Sequence, residues 1–201
     1  MRRAMAKKRR KKYSEFKPDA KRATLFKTLR LTIQQRQRLL KWGLYCLTIV
    51  LAVVVQDVIM SRVSFFGATT ELAVCVILLI TVIEGTEVGS IFVLIASTLY
   101  YFTGTAPGAY SIGLLTFLGV AVDLFRQMYW NRSRSSIVLC AGLAQMGYEL
   151  GLYAVGLFLG LTRWDRVGVF ALTGVINIIV MIPLYSLIYK IGLIGGNTWK
   201  E

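Results

Sequence analysis

The chain after Trp42 is a succession of long apolar runs separated by short polar hinges. A helix that crosses the hydrocarbon core of a membrane needs about 20 apolar residues, with a range of about 17 to 25. Residues 39–60, 137–161 and 167–188 meet this requirement, and residues 111–125 meet it when extended by a few residues at each end. Of the 201 residues, 56% are apolar and only 17% are charged, which favours lipid as the main solvent. The pattern predicts an all-α, polytopic membrane protein.

The stretch 72–103 is too long for a single span. At about 1.5 Å per residue, one continuous helix would far exceed the hydrocarbon core of about 30 Å. The polar sequence Glu84-Gly85-Thr86-Glu87 stands at its middle, and a turn there gives two short spans and six in total. Because these spans are short, a hairpin entering from the cytoplasmic side is the alternative. Glu84 and Glu87 are expected to solubilise the turn or to contact the basic tail.

Basic residues are concentrated on one side of the six-span topology. Of 24 Lys and Arg, 16 precede residue 42, and the whole chain holds only 10 acids. Cytoplasmic segments carry the excess of Lys and Arg, so both termini are expected in the cytoplasm. The cytoplasmic side then holds the N-terminal tail and five further basic residues: Arg126, Arg132, Arg134, Lys190 and Lys200. The outer side holds Arg62, Arg163 and Arg166. The chain thus divides into a tail (1–38), a six-helix membrane domain (39–195) and a short cytoplasmic C-terminus (196–201).

The tail is expected to bind the membrane surface. Leu25, Leu29 and Ile33 recur four residues apart, as on one face of an amphipathic helix, and polybasic segments beside a span attract anionic lipids. Docking of a partner protein on this helix is the alternative. Clustered Lys and Arg also occur in nucleic-acid-binding arms. A basic tail that abuts a span more often fixes orientation, so no nucleic-acid partner is predicted.

Glu149 is the main candidate for a functional residue within the membrane. It lies near the middle of the fifth predicted span, where a charge is costly and marks a functional site by default. It would pair with a basic group of a neighbouring helix or partner, form a hydrogen bond as a neutral carboxyl, or face a small wet cavity. Small residues four apart let another helix approach closely. The fifth span therefore offers a candidate partner interface, formed with Glu149 by Gly147, Gly151, Gly156 and Gly160.

Two acidic residues near span ends have basic residues close by in the sequence. Asp57 precedes Arg62 by five positions, and Asp123 precedes Arg126 by three, a spacing that brings side chains together on a helix. Both are predicted to form interfacial ion pairs.

Nothing in the sequence predicts catalysis. The chain has no His, which removes the commonest general base and the commonest metal ligand. It also has no H-E-x-x-H, no G-x-S-x-G and no closely spaced pair of Asp residues. Cys46, Cys75 and Cys140 lie in apolar runs and are expected to be buried free thiols. A relay of Asn177, Gln145 and Glu149 is one arrangement among many, and no enzyme activity, cofactor or metal is predicted.

Four segments recur in an order typical of one bacterial membrane family. They are Phe66-Gly67-Ala68-Thr69-Thr70-Glu71-Leu72, Ile83-Glu84-Gly85, Gly89-Ser90-Ile91-Phe92 and Gly104-Thr105-Ala106-Pro107-Gly108. Over about residues 65–125 the chain resembles the rod shape-determining protein MreD family, and span number and chain length agree over the rest. Tyr101 stands where the family usually has an acidic residue, so the role of that acid is not carried over. The basic tail is also longer than the family's usual start.

The resemblance implies a non-catalytic subunit of the cell-shape and peptidoglycan elongation machinery in the bacterial plasma membrane. Such a subunit binds MreC and, through it, acts with RodA, a class B penicillin-binding transpeptidase and MreB filaments. The family also resembles in fold the six-helix substrate-binding subunit of energy-coupling-factor vitamin transporters, and that function is the alternative. Those subunits dock through an Ala-x-x-x-Ala motif, whereas here Ala96 is followed four residues later by Tyr100.

Overall fold

A computed structural model describes residues 33–64, 66–129 and 134–194. The predicted amphipathic helix around Leu25 and Leu29, the loop residue Arg132 and the C-terminal segment 196–201 lie outside the described residues. The regular elements of the described part are six α-helices and two short 3-10 turns. The helices are α1 (Ile33–Val58), α2 (Leu72–Glu84), α3 (Thr86–Phe102), α4 (Tyr110–Tyr129), α5 (Arg134–Phe158) and α6 (Val167–Gly192), and the turns are Met60–Arg62 and Trp164–Arg166.

These helices follow the predicted division of the chain closely. Each of the six predicted spans corresponds to one helix. Among the described residues, three helical stretches are long and apolar enough to cross a membrane: α1, α5, and α6 together with its preceding turn. α2 and α3 are apolar but shorter, with 13 and 17 residues. The structure therefore agrees with a helical membrane protein, and the count of six spans stays a prediction.

The short helix α2 lies at the centre of the bundle. It packs against all five other helices, and 12 of its 13 residues are buried. A helix that is apolar on every face is stable where other helices surround it. Its length of about 20 Å, at about 1.5 Å per residue, is less than the hydrocarbon thickness of about 30 Å. Polar side chains of neighbouring helices are therefore expected at both ends of α2.

Two glycines form the tight junction between α2 and α3. Gly85 has a φ of 88°, a left-handed conformation that glycine adopts without steric cost. A Cβ on Gly89 would lie 2.5 Å from the carbonyl oxygen of Thr81, so the start of α3 can approach the end of α2 only because residue 89 has no side chain. The expected turn at residues 84–87 is thus a single-residue break between two antiparallel helices.

Consecutive helices are antiparallel, so one end of the bundle holds the starts of α1, α3 and α5 and the ends of α2, α4 and α6. A Cβ on Gly192 would lie 3.1 Å from the hydroxyl of Tyr45, which places the end of α6 beside the side chain of a residue near the middle of α1. We call this the basic end, because most basic residues of the described part lie there. These are Arg36, Arg38, Lys41, Arg126, Arg134 and Lys190, against Arg62, Arg163 and Arg166 at the opposite end.

One expectation from the sequence needs correction, and the domain division stays a prediction. α1 begins at Ile33, so residues 33–38 of the predicted tail are helical and continuous with the first predicted span. Cys75 and Cys140 are buried free thiols as expected, but Cys46 is exposed. The apolar run around Cys46 forms a helix with one buried face, and Cys46 lies on another face.

Candidate functional site

Glu149 is the centre of a buried hydrogen-bond network between α5 and α6. Its side chain is only 2% exposed. The amide nitrogen of Gln145 donates to Glu149 Oε1 at 3.0 Å, and the amide nitrogen of Asn177 donates to the same oxygen at 3.1 Å. Of the roles considered for Glu149, the structure agrees with a carboxyl group that is hydrogen-bonded to amides within the bundle. It also brings together the three residues of the postulated relay.

The network continues to the first turn of α2. The side chain of the N-cap residue, Glu71, makes no capping hydrogen bond to this turn. The backbone N–H of Glu71 donates to Asn177 Oδ1 at 3.0 Å, and that of Ala73 donates to Gln56 Oε1 at 3.0 Å. The first N–H groups of a helix lack partners within the helix, and the membrane interior offers no water for them. Side chains of α6 and α1 thus accept the hydrogen bonds of backbone N–H groups at the start of α2.

A polar pocket of about 420 Å³ lies at the same end of the bundle, opposite the basic end. Its lining comes from the end of α1, the loop before α2 and the loop after α3. Two of these loops belong to segments that carry the family resemblance, around residues 66–72 and 104–108. The lining residues are Gln56, Asp57, Met60, Thr69, Thr70, Glu71, Thr103, Gly104 and Thr105.

Glu71 belongs to both the pocket and the network. It is one of the residues that line the pocket, and its backbone N–H donates to Asn177 of the network. Three buried polar atoms in this region have no hydrogen-bond partner among the described residues: Glu71 Oε2, Gln145 Oε1 and the hydroxyl of Tyr148. This part of the bundle therefore has hydrogen-bonding capacity beyond what the network uses.

A buried ion pair lies at the basic end of the bundle. The ammonium nitrogen of Lys41 is 2.6 Å from Glu84 Oε1 and 2.7 Å from Oε2, and the hydroxyl of Tyr45 donates to Oε1 at 2.6 Å. Tyr45 is fully buried, and Lys41 and Glu84 are each 5% exposed. Glu84 is expected either to solubilise the turn or to contact the basic tail. It is buried and binds Lys41 of α1, the last of the 16 clustered basic residues, because the short α2 ends inside the bundle.

The predicted pair of Asp123 and Arg126 is present on α4. Their side chains lie 3.3 Å apart at positions i and i+3. Both are nearly inaccessible, at 0% and 6% exposure, so the pair is buried between helices, and its position at the membrane interface stays a prediction. Arg62 is exposed, and Asp57 lines the pocket. The predicted ion pair of Asp57 and Arg62 stays a prediction.

The glycines of the fifth span meet other parts of the same chain. A Cβ on Gly147 would lie 3.2 Å from the side chain of Leu118, and one on Gly151 would lie 2.7 Å from that of Leu114. Both leucines belong to α4, so these two glycines allow close packing of α5 on α4. Gly156 faces Thr162, and Gly160 lies past the end of α5 with a φ of 69°. Whether a partner also uses this surface stays a prediction.

Sequence reasoning missed Lys41, Tyr45 and Gln56. A usable signal was present for the first two, because residues four apart share a helix face and Lys41 precedes Tyr45 by four. Gln56 is an isolated amide near the end of an apolar run. Such residues in membrane helices often form interhelical hydrogen bonds.

The arrangement favours hydrogen bonding and charge pairing between helices. Across the described ranges, no group of three His, Cys, Asp or Glu side chains is placed to hold a metal ion. Comparison of the chain with family models, with curated proteins and with solved structures gives no match.

Proposed function

We propose that the chain is a six-span protein of the bacterial plasma membrane, with both termini in the cytoplasm. The excess of basic residues at one end of six antiparallel helices supports this topology. The enclosure of α2 supports counting it as a span despite its 13 residues, because a helix surrounded by others is shielded from lipid. The basic end faces the cytoplasm in this proposal, and the polar pocket faces outward.

Within that topology, we propose that the protein is a non-catalytic member of the rod shape-determining MreD family that binds MreC. The observation that carries this proposal is the convergence of two family-like segments, 66–72 and 104–108, on one outward pocket. Segments that are far apart in sequence but meet at one surface are expected to serve one binding function. The pocket would receive part of MreC outside the membrane, and MreC would in turn position RodA and the transpeptidase.

The use of polar side chains inside the bundle agrees with a binding function. Glu149, Asn177 and Gln145 bond to one another, and Lys41 bonds to Glu84. Such contacts fix the relative positions of helices. A rigid bundle with a preformed surface is suited to holding partners in place.

Affinity purification in mild detergent tests the proposal. Recovery of MreC with wall-synthesis enzymes is expected from the unaltered chain. Thr69→Arg places a long charged side chain in the pocket lining and should reduce MreC recovery, whereas Ser64→Arg in the same loop, outside the pocket lining, should not. Equal recovery with both variants would remove the pocket from the interface, and absence of MreC from every sample would overturn the function.

The substrate-binding subunit of an energy-coupling-factor transporter is the second candidate. The observation that favours it is the same polar pocket of about 420 Å³, which is within the usual range for small-ligand sites. In this case purification would recover paired ATPases. Denaturing the sample would release a bound vitamin, which mass spectrometry would detect.

A further inference from the structure

An apolar groove with a basic mouth runs between α5 and α6. Its volume is about 810 Å³. α6 contributes Ile178 and Ile182 to its lining, and α5 contributes Val138 and Leu139. Arg134, the first residue of α5, and Lys190, near the end of α6, stand together at the mouth of the groove at the basic end. The lining contains no acidic residue.

The length of the groove fits one leaflet of a bilayer. Ile178 and Lys190 are 12 positions apart on α6, which is about 18 Å at about 1.5 Å per residue. Half of the hydrocarbon core is about 15 Å. A lipid with its phosphate at Lys190 would therefore extend its acyl chain along the groove to about the depth of Ile178.

A second apolar groove on α6 provides a comparison. It has a volume of about 730 Å³, lies between α1 and α6, and shares Ser186 and Lys190 with the first. Lys190 is the only charged residue in its lining, whereas the α5–α6 groove has both Arg134 and Lys190. Charge complementarity therefore favours the α5–α6 groove for an anionic headgroup.

We propose that the α5–α6 groove is a binding site for one anionic diacyl phospholipid. Arg134 and Lys190 bind its phosphate, and one acyl chain lies along Leu139, Ile178 and Ile182. Basic pockets between membrane helices on the cytoplasmic side bind anionic headgroups in this way. The site is separate from lipid binding by the tail. It rests on membrane insertion of the bundle and not on the identity of any protein partner.

Native mass spectrometry of the full chain in detergent tests this site, with phosphatidylglycerol and phosphatidylcholine of identical acyl chains as probes. Replacing both basic residues, as R134Q/K190Q, should weaken retention of one phosphatidylglycerol about 30-fold, since each basic residue near the surface contributes about a factor of five. The control R163Q/R166Q removes the same charge from exposed positions at the opposite end and should leave retention unchanged. The basic tail is present in both proteins, so its contribution cancels.

A second pair of variants tests the groove without changing charge. Ile182 lines the α5–α6 groove and is 58% exposed, while Leu187 lines the α1–α6 groove and is 51% exposed. Ile182→Trp should displace the lipid, and Leu187→Trp should not.

Equal effects of the two tryptophans, equal loss in the two charge variants, or equal retention of the two lipids would each overturn the proposal. A chain dimer that Ile182→Trp dissociates would assign the groove to a second copy and overturn it too. Lipid selection that persists when MreC is not recovered would leave this site standing and remove only the proposed function.

Discussion

The ammonium nitrogen of Lys41 lies 2.6 Å from Glu84 Oε1 across the interface of α1 and α2. Removing one partner of a buried ion pair leaves an uncompensated charge and costs about 3 to 5 kcal/mol. We therefore expect Lys41→Met to lower the free energy of unfolding by this amount, measured by denaturant titration in detergent micelles. Lys41→Met combined with Glu84→Gln should recover much of the loss, because no buried charge then remains. Arg38→Met, at an exposed position three residues earlier on α1, is the matched control. An equal loss from Arg38→Met would show that the pair does not stabilise the bundle.

Glu149 accepts two hydrogen bonds through one oxygen, and an uncharged side chain with an acceptor oxygen in the same place can receive both. Glu149→Gln keeps an acceptor oxygen for Gln145 and Asn177, and we expect a melting temperature close to that of the unaltered chain. Glu149→Leu leaves both amide donors without a partner and should cost about 1 to 3 kcal/mol. Differential scanning fluorimetry of the two variants in the same detergent is the measurement. Destabilisation by Gln as large as that by Leu would mean that the negative charge itself is required, because both variants lack it and only Gln keeps the acceptor oxygen.

Gly89 permits the close approach of α3 to α2. A Cβ at this position would lie 2.5 Å from the backbone oxygen of Thr81, and backbone atoms cannot move aside as a flexible side chain does. Gly89→Ala should therefore lower the melting temperature strongly and reduce the yield of folded protein. Gly113→Ala on α4, where a Cβ would meet nothing within 4 Å, should be neutral or stabilise by up to about 1 kcal/mol. A neutral Gly89→Ala would show that the two helices are farther apart than described.

Gly151 and Leu114 form a close contact between α5 and α4. Gly151→Ala places a methyl group 2.7 Å from Leu114 Cδ2, and overpacking of this kind costs about 1 to 3 kcal/mol. In a Leu114→Ala background the added methyl group gains space, so Gly151→Ala should there cost little. A double-mutant cycle of unfolding free energies measures this coupling. Additive effects, together with a selective loss of MreC recovery, would instead favour a partner's helix on the glycine face.

The order of helices was predictable from the sequence because it follows from the lengths of the apolar runs and from the polar segments that separate them. The break at Gly85 followed from the excess length of residues 72–103, and the Asp123–Arg126 contact followed from a spacing of three on one helix. Both inferences depend only on local geometry, which a sequence records directly.

The contacts between distant helices were harder to predict. Nothing local indicates that Asn177 binds Glu71, 106 positions away, or that Glu84 is buried beside Lys41. The sequence identifies Gly147 and Gly151 as sites of close approach but does not say whether the neighbour is α4 or another protein. The length of α2 is the physical reason for two of these contacts, because a helix of 13 residues ends where other helices must supply its polar partners.

The position of α2 also has a consequence for the order in which the chain can assemble. α2 is made second, and four of the five helices that surround it follow it in the sequence. During synthesis it therefore leaves the ribosome long before most of its surroundings exist, and its length of about 20 Å does not span the membrane by itself. Pairing with α1 through Lys41, Tyr45 and Glu84 joins it to a helix of 26 residues. A contact that is buried in the finished protein is thus among the first that the growing chain can form.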